Sequence, residues 1–258
     1  MRRKTKNVVI FVLLFLCTSL PPITSKPFHP QEISLVIGEV ITQTSVAYLW
    51  LSPLVHVSTL VLLLLLYKYG KKIGRVADLF FGLLFLFFAF GQHIAVIERY
   101  GLAIVTGNLV MLSVVGLFWI AEAFRPKNEY VFQRLPAWRY WVVPFAFFAF
   151  WFPVTDTTPD FNPILLLTSA YGVAFCPTTP VIIALLTLIY PRVNIGLLRV
   201  TSFVGLLIGL FNAMSLFTMP GYNLWIFTLH IPLIVISLYG LIIPTLLTEE
   251  NAEKAHAD

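Results

Sequence analysis

Long apolar runs separated by short polar stretches dominate the sequence. A helix that spans a membrane needs about 20 mostly apolar residues, and seven runs after residue 45 fit or approach that length. Their apolar residues are continuous rather than alternating, which excludes the strands of a transmembrane β-barrel. The predicted fold class is therefore all-α, a polytopic transmembrane helical bundle. Its seven predicted spans are 46–67, 76–97, 102–124, 140–154, 163–190, 200–219 and 223–247.

The N-terminal segment has a different pattern. Four basic residues among the first six are followed by a short apolar stretch that ends at Cys17, and then by a polar stretch. This order is typical of a secretory signal peptide. We predict either cleavage after Ser25 or an uncleaved first transmembrane helix, which would make eight spans. The predicted organisation is residues 1–25 as this segment, 26–45 as an extracytoplasmic lead-in, 46–247 as the membrane domain and 248–258 as a cytoplasmic tail.

Composition and charge agree with a membrane protein. The chain is 59% hydrophobic and 11% charged, whereas soluble domains contain about 25% charged residues. In the seven-span arrangement, all of the 17 lysines and arginines except Lys26 and Arg99 fall on one side. Cytoplasmic loops carry this excess of positive charge, so we predict a multi-pass protein of the cell membrane with its mature N-terminus outside. This distribution of lysines and arginines also accounts for the net charge of +5, so that charge does not indicate a nucleic-acid partner.

One predicted span is interrupted in its middle. The stretch GVAFCPTTPV lies within residues 163–190 and contains two prolines, which remove backbone donors and clash with the preceding turn. We expect a half-helix or re-entrant piece on the outer side, a break at Cys176–Pro177, and a new helix from about Thr178, capped by Thr178 and Thr179. The alternative is a single proline-kinked helix. Broken helices often mark the binding site in transporters.

The interrupted stretch also carries a resemblance. Its Gly172, Cys176, Pro177, Thr178 and Thr179 form a Gly-x-x-x-Cys-Pro-Thr-Thr motif, which resembles a family of prokaryotic multi-pass membrane proteins of unknown function. The second and third spans are similar to that family too, including a histidine near the end of the earlier helix, here His93. The residue before the cysteine is a phenylalanine here, where the family often has proline. The likeness covers about residues 76–247. It implies a shared fold, and we expect a shared site with it, but the family has no established activity.

Polar side chains inside predicted spans are candidates for function because they are costly to bury in a membrane. Most of them fall at similar depth in the outer half, which predicts a polar cavity that opens outward. The candidate ligand-binding residues are His56, His93, Asn108, Cys176, Thr178, Asn212 and His230. Four of them, His56, His93, Cys176 and His230, are also candidate metal or haem ligands, although no pair has close ligand spacing. The cofactor is left unassigned. They could also do no more than hydrogen-bond helix to helix.

Two acidic residues lie in the inner half. Asp78 and Glu122 are predicted near the cytoplasmic ends of their spans, where Lys72, Arg75 or Arg125 would pair with them in a structural role. At the outer side we expect an ion pair between Glu98 and Arg99.

Three function classes follow from these patterns. The first is binding or transport of a small solute through an outward-facing cavity at the broken fifth helix. The second is an accessory or assembly subunit of a membrane complex, and the third is a haem- or metal-binding redox subunit. Beside the lipid bilayer, the expected partners are therefore a small solute or the subunits of such a complex. The sequence lacks hydrolase and P-loop motifs, and its last span lacks a lysine for retinal, so we assign no catalytic residue.

Overall fold

The computed structural model describes residues 3–218 and 222–257, and the side-chain surroundings of residues 8–217 and 222–247. The first two residues of the predicted signal segment, the last residue of the predicted 200–219 span and residue 258 lie outside the described residues. The helices are α1 (Arg3–Cys17), α2 (Ile33–Tyr48), α3 (Ser52–Tyr69), α4 (Lys71–Gly91), α5 (Thr106–Phe124), α6 (Val142–Trp151), α7 (Leu165–Thr168), α8 (Phe175–Ile189), α9 (Ile195–Thr218) and α10 (Leu224–Ala257). Short 3₁₀ turns at Pro30–Glu32, Leu49–Leu51 and Ala137–Trp141 lead into α2, α3 and α6.

Two small antiparallel sheets lie in the connections between helices. Strands β1 (Ile23–Thr24), β2 (Ile94–Ile97) and β3 (Gly101–Ile104) form a sheet in the order β1-β3-β2. Strands β4 (Val154–Thr155) and β5 (Thr158–Pro159) form the second. We call the end of the bundle with the three-stranded sheet the sheet end. The opposite end, with Lys71 at the start of α4, Arg125 after α5 and Arg192 after α8, is the basic end.

The all-α bundle predicted from the sequence is confirmed, whereas the count of seven spans is not. In the described residues, five helical segments are long and apolar enough to cross a membrane: Pro30–Tyr69, Lys71–Gly91, Thr106–Phe124, Ile195–Phe217 and Leu224–Leu247. The predicted fourth span contains only the shorter helix α6, and the predicted fifth span contains only the shorter helices α7 and α8. The predicted boundary between lead-in and first span lies inside α2, because α2 and α3 are joined by a 3₁₀ turn rather than by a loop.

The core is built from one helical hairpin and a second group of helices packed against it. Helices α4 and α5 pack along their lengths, while α6, α8, α9 and α10 pack around one another. An aromatic cluster joins the two groups. The Phe85 ring lies 6.2 Å from the Trp119 ring and 6.1 Å from the Phe175 ring. Trp119 Nε1 donates to Thr201 Oγ1 over 3.1 Å, so its polar atom is satisfied across the α5–α9 contact.

A second, smaller core lies at the sheet end. Val36 and Val40 on α2 are fully buried against the β2–β3 hairpin. At its edge Arg99 pairs with Glu32, which precedes α2, rather than with its neighbour Glu98 as the sequence predicted. The backbone carbonyl of Glu98 instead accepts from Lys26. The lead-in is therefore a helix packed on a sheet.

The signal-like segment is part of this architecture. Helix α1 packs against α5 and α9, with Leu14 buried and the Phe11 ring 4.9 Å from the Phe203 ring. The predicted cleavage position follows strand β1 directly, and Ser25 Oγ accepts from the Leu102 amide over 2.9 Å. Cleavage itself stays a prediction.

Candidate functional site

A cavity of about 260 Å³ lies at the sheet end, enclosed by α2, α5, α9 and the turn after α1. Its walls are mainly apolar, and its polar groups are two carboxamides and several hydroxyls. Of the described residues that line it, none is charged. They are Thr18, Leu20, Ser34, Ile37, Ile41, Val105, Gly107, Asn108, Met111, Ile208, Phe211, Asn212, Met214 and Ser215. An apolar pocket with a few converging polar groups is typical of a small-molecule site.

The first carboxamide is held in place by a buried histidine. His93 follows the end of α4, outside the membrane-spanning segment, and its Nδ1 lies 2.7 Å from the Phe88 carbonyl oxygen. Because that oxygen only accepts, Nδ1 carries the proton and Nε2 is an acceptor. Nε2 then accepts from Asn108 Nδ2 over 3.1 Å, which orients the Asn108 amide. Burial lowers the pKa of His93 to about 4, so the imidazole is neutral at physiological pH.

The second carboxamide is anchored on α9. Asn212 Nδ2 donates to the Ile208 carbonyl oxygen over 2.9 Å and lies 3.6 Å from Cys176 Sγ. All hydrogen bonds of Asn108 and Asn212 within the described part of the chain are made through Nδ2. Both Oδ1 atoms therefore have no partner there. Two carbonyl acceptors from different helices remain for a molecule in the cavity.

The break that precedes α8 lies farther upstream than the sequence predicted. The irregular backbone covers residues 169–174, and α8 begins at Phe175, so Cys176 and Pro177 lie in its first turn. A proline fits there because the first amides of a helix have no partner within the helix. Pro180 lies inside α8 without ending it. The predicted break at Cys176–Pro177 and the predicted helix start near Thr178 are therefore wrong.

The two threonines differ in what they contact. Thr178 Oγ1 donates to the Ala174 carbonyl and accepts from the Gly172 amide, each over 2.7 Å, so it ties the irregular segment to α8. Gly172 has a φ of +80°, which an L residue rarely adopts. Thr179 Oγ1 is buried and has no partner within the described residues, so the predicted capping role fails for it.

Both ends of α8 are held by polar side chains from other elements. At its start, Gln92 Oε1 accepts from the Phe175 amide over 3.0 Å, and the Gln92 carbonyl accepts from Thr44 on α2. At its end, Arg139 donates to the Tyr190 carbonyl over 3.1 Å. These contacts satisfy backbone groups that a helix terminus leaves unpaired.

His56 lies in a separate polar cluster. Its Nδ1 is 2.9 Å from the Ser52 carbonyl and its Nε2 is 3.3 Å from Ser169 Oγ, while Ser52 Oγ donates to the Ser169 carbonyl. Its ring packs against Phe150 and Tyr171 at 4.7 and 4.9 Å between centroids. The cluster is fully enclosed, and it fastens the irregular segment before α8 to α3.

His230 also lies outside the cavity wall. Its Nδ1 is 2.7 Å from the Ile226 carbonyl and 3.2 Å from the Tyr222 hydroxyl. The structure thus places Asn108 and Asn212 on the cavity, and His93 and Cys176 directly behind them. It leaves His56, Thr178 and His230 elsewhere. Among the residues it describes, no group of three or more histidine, cysteine or acidic side chains could hold a metal ion.

The sequence did not identify the cavity wall contributed by α2 and by the turn after α1. Ser34 and Ile41 on α2, and Thr18 beyond α1, face Ser215 on α9. Single hydroxyl side chains such as these are a weak signal for a binding site, because serines also serve as packing residues.

The basic end contains a second polar network, built around two buried acids. Glu122 Oε1 accepts from the backbone amides of Lys127 and Asn128, and Oε2 accepts from Asn194 Nδ2 over 2.6 Å. Asp78 Oδ1 accepts from Asn128 Nδ2 over 2.9 Å and from the Tyr130 hydroxyl. Asp78 Oδ2 has no partner within the described residues.

This network corrects the predicted pairing of the two acids with Lys72, Arg75 or Arg125. The two acids instead accept hydrogen bonds from neutral donors, which lie in the loop after α5 and directly before α9. The nearby basic residues Lys71 and Arg192 bind the exposed Glu129. The hydrogen bond from Lys71 lowers the pKa of Glu129 below its ordinary value.

Long apolar helices, with basic residues concentrated at one end of the bundle, define the chain as an integral membrane protein. Comparisons with protein-family models, with curated proteins and with solved structures returned no match to this chain. The resemblance to prokaryotic membrane proteins with a Gly-x-x-x-Cys-Pro-Thr-Thr motif therefore stays a prediction.

Proposed function

We propose that the protein binds a small uncharged solute in the cavity between Asn108 and Asn212. The observation that carries the proposal is that Asn108 and Asn212 both line the cavity and that neither Oδ1 atom has a protein partner in the described structure. Both asparagines are half-buried, and a bound molecule that offers N–H or O–H groups would give their Oδ1 atoms the hydrogen bonds that the described protein does not supply. The absence of charge among the described lining residues favours a neutral molecule.

The cavity lies beside the break before α8 rather than in it. Asn212 connects the two, because its amide contacts Cys176 in the first turn of α8. Irregular backbone at membrane depth is tolerated where protein buries it or where it lines a cavity. Here the cluster around His56 buries it, and a change in that segment would reach the cavity through Cys176. This arrangement supports binding coupled to a movement of the segment, as transport would require.

Orientation follows from charge. The basic end brings Lys71 and Arg192 together on Glu129, and Arg125 follows α5 at the same end. Positively charged loops stay in the cytoplasm, so we place the basic end inside and the cavity toward the outer face of the cell membrane.

The test compares one neutral probe with its charged relatives. The cavity has the volume of about nine liquid water molecules at about 30 Å³ each, which suits nicotinamide. Saturation-transfer NMR of the purified protein in detergent would measure the binding of nicotinamide, of the anion nicotinate and of the cation 1-methylnicotinamide. We expect binding of nicotinamide alone. Asn108→Ala and Asn212→Ala should each weaken it about three- to tenfold, the value of one hydrogen bond.

A filled cavity provides the matched control. Ser215→Trp on α9 places a large side chain in the cavity, while Leu210→Trp places the same side chain on the exposed side of that helix, where Leu210 is 46% exposed. Nicotinamide binding should be lost in the first variant and kept in the second. Equal binding by the two variants, or equal binding of nicotinate, would contradict the proposal.

A further inference from the structure

A second concave site lies on the side of the bundle, far from the Asn108–Asn212 cavity. It is a groove of about 400 Å³ between α3, α6 and α8. On each helix the lining residues span eight positions: Leu60 to Tyr67, Val143 to Phe150 and Val181 to Leu188. At about 1.5 Å per residue, the groove is about 10 Å long, which fits within one half of a hydrocarbon layer about 30 Å thick.

The groove opens to the surroundings of the bundle. Its rim is exposed, with Leu60 43%, Val143 45% and Phe147 53% accessible, while its floor on α8 is buried, with Ala184 at 3%. The described lining residues are aliphatic or aromatic, and the Tyr67 hydroxyl is their single polar side-chain group. A polar solute would find almost no hydrogen-bonding partner there. A hydrocarbon chain would fill it without cost.

The charges at one end of the groove identify the rest of the ligand. The Tyr67 ring packs 5.9 Å from the Phe132 ring at the basic end. The exposed Lys68 follows Tyr67 directly, and the exposed Arg134 follows Phe132 by two residues. From position 60 to 75 every charged residue is positive. An anionic headgroup at this point would lie beside two exposed basic residues, Lys68 and Arg134.

We propose that this groove binds one acyl chain of an anionic phospholipid, with the lipid phosphate held by Lys68 and Arg134. The chain lies along α8 between α3 and α6, and the headgroup lies at the basic end. Anionic lipids are concentrated in the cytoplasmic leaflet, which is the leaflet that the basic end faces if the charged loops are cytoplasmic. The proposal does not depend on the solute cavity.

The experiment counts lipids that stay bound. The full-length protein is reconstituted into phosphatidylcholine vesicles that contain phosphatidylglycerol, extracted in mild detergent and analysed by native mass spectrometry. We expect one retained phosphatidylglycerol. Lys68→Gln and Arg134→Gln should each weaken its retention about fivefold, as expected for one basic residue near an anionic lipid surface. Arg125→Gln with Lys127→Gln, at the same end but away from the groove, is the matched charge control.

The groove itself is tested by filling it. Ala146→Phe on α6 fills the groove, whereas Ala121→Phe adds the same ring on the exposed face of α5. Loss of the lipid in the first variant and its retention in the second supports the proposal. Retention in both, with loss only after the charge changes, would mean that the headgroup binds without the groove and would overturn it.

A measurement on the unaltered protein guards against misfolded variants. Phosphatidylglycerol with a photoreactive diazirine in one acyl chain should label peptides of α6 and α8 from within the groove. Labelling spread evenly over all exposed helices, or a wild-type protein that retains no phosphatidylglycerol, would also overturn the proposal.

Discussion

The two ends of the bundle each hold polar side chains, buried at the basic end and half-buried at the sheet end, and their hydrogen bonding differs. At the basic end, both oxygens of Glu122 accept hydrogen bonds, from two backbone amides and from Asn194. At the sheet end, Asn108 and Asn212 bond through Nδ2, and their Oδ1 atoms have no partner within the described residues. One group ties a loop to three helices, while the other faces a cavity of about 260 Å³.

The difference gives a criterion for polar residues in a membrane protein. Neither the depth of a polar residue in the membrane nor its chemical type distinguishes a structural role from a functional one, because acids and amides serve both purposes. What separates them is whether every hydrogen-bonding atom is already satisfied by the protein, and whether the remaining atoms meet a space that a ligand can enter. Substitutions at the two ends of the bundle test this criterion, from the largest expected effect on stability to the smallest.

Glu122→Ala should cause the largest loss of stability. The change removes the buried acceptor of three donors: the Asn128 amide, which is buried, and the Lys127 amide and Asn194 Nδ2, which are partly buried. Breaking a buried network from one side costs about 3–5 kcal/mol, since the other groups stay buried and unpaired. The measurement is the thermal unfolding of the purified protein in detergent.

Glu129 supplies the control for that experiment. It lies in the same loop and binds Lys71 and Arg192, but it is exposed. Exposed ion pairs contribute little, so Glu129→Ala should shift the unfolding midpoint far less than Glu122→Ala. Similar shifts would mean that charge at the basic end, rather than the satisfied network, determines stability.

An intermediate effect is expected where α1 meets α5. A Cβ atom on Gly107 would lie 2.3 Å from the Cys17 carbonyl oxygen. Gly107→Ala should therefore cost about 1–3 kcal/mol through overpacking, provided that the mature protein keeps α1. We expect intact-mass measurement to find residues before Ser25 in the mature chain, so that Thr18 and Leu20 complete the cavity wall.

Gly196 is the matched glycine. It is the second residue of α9, as Gly107 is of α5, but a Cβ there would meet its nearest atom at 3.4 Å, which is an ordinary contact. Gly196→Ala should be neutral or slightly stabilising. If both variants unfold at the wild-type temperature and the mass lacks the first 25 residues, the segment is a cleaved signal peptide and the cavity is wider than described.

The sequence predicted the helical bundle because long apolar runs are its main signal. Such a run forms a helix because lipid offers its backbone no hydrogen bonds, whatever its tertiary contacts. It failed where helix ends are fixed by distant groups. Proline chemistry pointed to a break at Cys176–Pro177, but proline is tolerated in a first turn, and Gln92 from the end of α4 supplies an acceptor for the Phe175 amide. That hydrogen bond joins residues 83 positions apart, so the local sequence pattern does not predict it.

The candidate site was predicted in part for a similar reason. The cost of placing polar side chains in a membrane selected Asn108 and Asn212, which line the cavity, and His93 and Cys176, which lie behind them. The same rule also selected His56, which is satisfied in an enclosed cluster. The cost of placing a polar group in a membrane identifies residues that need a hydrogen-bonding partner. Only the packed structure reveals whether the protein already supplies that partner.

Asn212→Ala is the test with the smallest expected change in stability. The substitution removes one hydrogen bond to the Ile208 carbonyl and a weak contact to Cys176, and alanine is the better helix former. These terms offset each other to within about 1 kcal/mol, so thermal unfolding should barely change while nicotinamide binding weakens. A loss of stability as large as that of Glu122→Ala would place Asn212 among the structural groups. The difference between the two ends would then lie in their charge and not in unfilled acceptors.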